Sequence, residues 1–75
     1  MSGPVAVEDM TRYFAFLDAL RSSGVTNMWG AGAYLDEAFG LGRGLSRSVL
    51  ADWMESFSDE QSAAERAAAV VVAKV

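Results

Sequence analysis

The chain contains no cysteine and no histidine, one proline and one lysine. Without cysteine there is no disulfide to staple a small core and no thiolate to hold zinc. Without histidine the usual acid–base group near neutral pH is missing, as is the commonest nitrogen ligand for transition metals. Long apolar runs are missing too: nothing approaches the ~18 residues of a membrane span. The opening "MSGPVAVEDM" has neither the basic nor the continuous apolar region of a signal peptide, so the expected location is the cytoplasm. Positive charge is scarce. Six basic residues face ten acidic ones, for a formal charge of −4 and a pI ≈ 4.5. Nucleic-acid binders are usually basic, whereas an acidic surface suits docking onto a basic patch of another protein.

What is present is apolar: 52% of the 75 residues are aliphatic, aromatic or methionine, too many for a disordered chain. The length fits one domain over residues 1–75. A domain this small buries only about 60% of its unfolded surface. With no covalent staple, self-association is one remaining way to complete its core.

The periodicity predicts helices. Residues 1–7 read as a tail, with Pro4 disfavouring helix at Gly3 and Val5 and Val7 free to pack or pair. A first helix is expected from Glu8 to Ser22, its buried stripe made by Met10, Tyr13, Phe14, Leu17 and Leu20. Asp18, Arg21 and Ser22 fall on its solvent side, and Gly24 stops it. "VTNMWGAG", Val25 to Gly32, reads as a packed turn with Met28 or Trp29 wedged under the helices. A short second helix, Ala33 to Phe39, buries Tyr34, Leu35, Ala38 and Phe39 and ends at Gly40. A third, Gly44 to Phe57, buries Leu45, Val49, Leu50, Trp53, Met54 and Phe57. "SDEQ", Ser58 to Gln61, matches a capping box, so a C-terminal helix is expected over residues 58–75. Its "AVVVAKV" end is apolar nearly all round and suits deep packing, a homodimer contact or an extended tail. The expected class is therefore all-α, a bundle of three to four short helices with a helix-turn-helix-like pair.

Neither catalysis nor a cofactor is expected. Ser46 and Ser48 lie near Arg47, but no histidine is available to activate a hydroxyl. Asp36–Glu37 and Asp59–Glu60 are adjacent pairs that diverge around a helix and lack the spacing of a calcium loop. Two surface clusters remain. Arg43 and Arg47, one turn apart with Ser46 between them, could grip phosphates at a helix N-terminus, where positive charge opposes the dipole. An ion pair with carboxylates of the first two helices is the plainer use of them. The register fits DNA reading poorly. That motif wants a small residue about four positions before its turn glycine and an aliphatic about six after it. Counting from Gly40 gives Asp36 and Ser46; counting from Gly42 gives Ala38 and Ser48. The second cluster is acidic: Asp52, Glu55, Asp59 and Glu60, with Asp36 and Glu37 nearby. It is a solvated face or a docking face for a basic protein surface.

"YFAFLDALRSSGVTNMWGAGAYLDEAFGLGR" followed by "VLADWMESF", within residues 13–57, resembles a group of small phage-encoded helical proteins. In that group a leading helix ends in "SGVTNM", a "YL…FGL" helix follows, and a third ends in "WM". Gly44, Leu45 and Ser46 depart from the charged stretch expected before the last of these helices, and the alanine–valine tail lies outside the likeness. The resemblance implies no activity of its own. It implies a phage product acting in the host cytoplasm by binding a host protein, as inhibitors of bacterial defence such as anti-CRISPR proteins do. A DNA-binding regulator using Arg43, Ser46 and Arg47, and a self-associating virion protein, are the competing expectations.

Overall fold

A computed structural model describes residues 6–24 and 30–74. Among them lie four helices: α1 (Val7–Ser23), α2 (Ala31–Phe39), α3 (Arg43–Ser56) and α4 (Ala63–Lys74). The fold is all-α, a short helical bundle. α1 packs most extensively on α4, and α2 on α3. The smallest extent is 17 Å, about the thickness of two packed helices.

The stripe of α1 is the floor of the core. Met10, Tyr13, Phe14, Leu17 and Leu20 are all buried, and Phe14 and Leu17 are fully enclosed. Each such side chain contributes about 1.5–3 kcal/mol through burial. Glu8 and Asp9 sit in the first turn, where negative charge suits the dipole. Gly24 ends the helix at φ 69°, its N–H donating to the Leu20 carbonyl at 3.2 Å. The helix begins at Val7, one residue earlier than its acidic start suggests. The proposed roles of Val5, Met28 and Trp29 lie outside the described residues.

α2 also starts early, because Ala31 is fully buried and belongs to its inner face with Leu35. Phe39 completes that face, with its ring edge-on to Tyr13 at 5.0 Å and to Phe16 at 5.4 Å. An inner face at 31, 35 and 39 leaves Tyr34 at its margin, 40% exposed, and Ala38 outside; neither is core. Gly40 caps α2 at φ 65°. The Asp36 carboxylate then accepts the Gly42 N–H at 2.8 Å, tying the two ends of the turn together. In α3, Ser46, Val49, Leu50 and Trp53 face inward. Leu45 does not, since it sits a residue away from that stripe in the first exposed turn.

The capping box lies four residues later than "SDEQ" suggests. Ser62 Oγ accepts the Glu65 N–H at 3.1 Å, and Glu65 Oε1 accepts the Ser62 N–H at 2.8 Å. Ser58 instead closes a tight local turn by accepting the Glu60 N–H. α4 therefore begins at Ala63 and remains helical to Lys74, which rules out an extended tail over those residues. Ser62→Ala is expected to cost about 1 kcal/mol, lowering the thermal midpoint by roughly 4–8 °C. Ser58→Ala, followed by the same circular-dichroism melt, should shift it far less.

Candidate functional site

One internal network joins three helices, and two surface features hold most of the candidate residues. In the network, Arg66 of α4 is only 2% exposed. Its Nη2 donates to Asp18 Oδ2 at 2.6 Å and its Nε to the Gln61 carbonyl at 3.2 Å. The other Asp18 oxygen accepts from Trp53 Nε1 at 2.9 Å. The guanidinium also lies over the Phe57 ring at 5.3 Å and the Phe14 ring at 5.9 Å. Asp18 is thus half-buried and paired, not on the solvent side of α1. Sequence reasoning missed Arg66 altogether. The signal was the one arginine of the alanine–valine stretch "AAERAAAVVV", with Asp18 directly after the core residue Leu17.

The first surface feature is a groove of ≈ 390 Å³ between α3 and α4. Asp52 and Glu55 form its α3 wall, and Ala69, Val70 and Ala73 its α4 wall. Val72, one turn beyond Ala69 on α4, is 68% exposed. Here the structure brings two of the acidic candidates together beside an apolar strip. Asp59 lines a smaller depression with Asp18, Arg21 and Arg66, and Glu60 is exposed in the α3–α4 turn. Asp36 and Glu37 are exposed on α2, and Asp36 is engaged with Gly42.

The second feature is a cleft of ≈ 330 Å³ between the N-terminal turns of α2 and α3. Arg43, Ser46 and Arg47 all line it, as their one-turn spacing requires, and Asp36 faces them from α2. Neither guanidinium forms an ion pair with a described carboxylate, so the expected pairing to the first two helices is not made. Ser46 is 3% exposed, and its hydroxyl has no hydrogen-bond partner among the described residues. By contrast, Arg12 is held by Asp9 at 2.6 Å, and that hydrogen bond and nearby charge raise its pKa. Both side chains are exposed, so the pair adds little to stability.

Among the described residues no group of three or more carboxylate, histidine or cysteine side chains gathers to hold a metal ion. No helix among them is long and apolar enough to cross a membrane. No protein-family model, curated protein or solved structure matches the chain.

Proposed function

We propose that this is a non-enzymatic binding protein that docks its α3–α4 face onto a basic surface of a protein partner. The observation that carries the reading is the groove in which Asp52 and Glu55 stand beside Ala69, Val70 and Ala73. Carboxylates at the edge of an apolar strip match a partner with lysine or arginine around an apolar contact. They steer the encounter, and the strip supplies the burial. Asp59 and Glu60 extend the negative edge along the adjoining turn, and Asp36 and Glu37 add to the field. If the resemblance of residues 13–57 to phage proteins holds, the partner would be a host protein, such as a defence complex with a basic nucleic-acid channel. Its inhibition would be steric, and it would act in the host cytoplasm.

The test is capture of partners by the tagged protein from nuclease-treated bacterial lysate, alongside a variant carrying Asp52→Lys, Glu55→Lys and Asp59→Lys. A stoichiometric partner held by the parent and lost by the variant, with unchanged helical circular dichroism, is the expected result. If the triple variant melts, Glu55→Lys with Val72→Lys replaces it, since both positions are exposed. Equal capture by parent and variants removes the groove from consideration. Recovery of the protein with itself alone, as a homodimer through α4, replaces docking with self-association.

A further inference from the structure

We propose that the cleft between the N-terminal turns of α2 and α3 binds a phosphate group. It is separate from the α3–α4 groove and shares no residue with it. Four sources of positive potential meet there. The first turn of α2 carries no acidic residue and no side-chain cap. The same is true of α3, which begins with Arg43 and places Arg47 one turn on. A helix N-terminus already favours an anion. Two arginines at such an end work against folding unless something negative sits with them.

Ser46 is the independent sign of a ligand. A buried hydroxyl without a partner is unfavourable, and this one belongs to a side chain that lines the cleft. A phosphate oxygen would accept its proton. The guanidiniums would take further oxygens through charge-assisted hydrogen bonds. Asp36 opposes the anion, and the neutral Gly42 N–H that it accepts leaves its charge in place, but the two guanidiniums outnumber that one carboxylate in the cleft.

The probe is inorganic phosphate, titrated into ¹⁵N-labelled protein against sodium chloride at matched pH and ionic strength. The expected result is saturable shifts at the Gly32, Ala33 and Ser46 amides. Arg43→Gln with Arg47→Gln should weaken binding by at least about tenfold, and both positions are exposed, so the fold should survive. Asp36→Asn keeps an acceptor for Gly42 and should tighten binding. Ser46→Ala should raise the melting temperature while weakening phosphate, a combination that loss of fold cannot produce. A short DNA duplex then separates the sources. Shifts at the same amides with a steep salt dependence assign the phosphate to a nucleic-acid backbone; phosphate binding without duplex binding assigns it to a free phosphate group. Phosphate shifts no larger than those with chloride, or shifts unchanged by the double arginine variant, overturn the proposal.

Discussion

Asp18→Ala is expected to remove most of the folding stability. Arg66 is enclosed, and Asp18 is its only ion-pair partner among the described residues. Its Nη1 already lacks a hydrogen-bond acceptor there. Removing one member of such a pair leaves a buried charge uncompensated, at a cost of about 3–5 kcal/mol. Trp53 Nε1 loses its acceptor in the same step, which costs about 1–3 kcal/mol more where the group stays buried. A chain of this length has roughly 4–11 kcal/mol in total at about 0.05–0.15 kcal/mol per residue. Arg66→Met should be much milder. It removes the charge, keeps the volume apolar between Phe14 and Phe57, and leaves Asp18 partly in water and still bonded to Trp53. The decisive comparison is Asp18→Ala with Arg66→Met, which should be more stable than Asp18→Ala alone in urea unfolding. A double variant no more stable than the single would mean that the pair does not hold these helices together.

Phe14→Ala carries the next largest effect, about 3–5 kcal/mol. Phe14 is 0% exposed on α1 and lies under the Arg66 guanidinium. Truncation opens a cavity in the core and strips one aromatic face from a buried cation. The urea midpoint should fall with little change in slope, whereas Phe14→Leu should cost less than about 1.5 kcal/mol. Because Phe14 and Arg66 touch, Phe14→Ala and Arg66→Met should not be additive.

How far the sequence speaks for itself differs from helix to helix. The stripe of α1 is legible because five large apolar side chains repeat at helical spacing with nothing polar among them. The start of α2 is not, since glycines at 30 and 32 argue against helix by propensity. Tertiary packing overrides that preference: Ala31 is sealed in the core, and Gly32 lies against Leu50. The box pattern occurs at both Ser58–Gln61 and Ser62–Glu65, and only the three-dimensional path selects the second. At the surface, the spacing of Arg43 and Arg47 already places them together. The groove partners of Asp52 and Glu55 come from α4, and pairing between distant segments leaves no mark in local periodicity. Arg66 was hidden for the same reason, because the carboxylate that makes its burial tolerable is far away in the chain.

That distance bears on how the protein is made. Asp18 and Arg66 are 48 residues apart, and α4 is the main packing partner of α1. A nascent chain halted before Arg66 would have only α2 and α3 against α1, leaving the α4-facing part of its apolar stripe uncovered and no cation for Asp18. Such fragments cannot reach the native state and are open to aggregation or proteolysis. Closure of the α1–α4 pair therefore waits for α4, and the Asp18–Arg66 contact forms only once both helices are present.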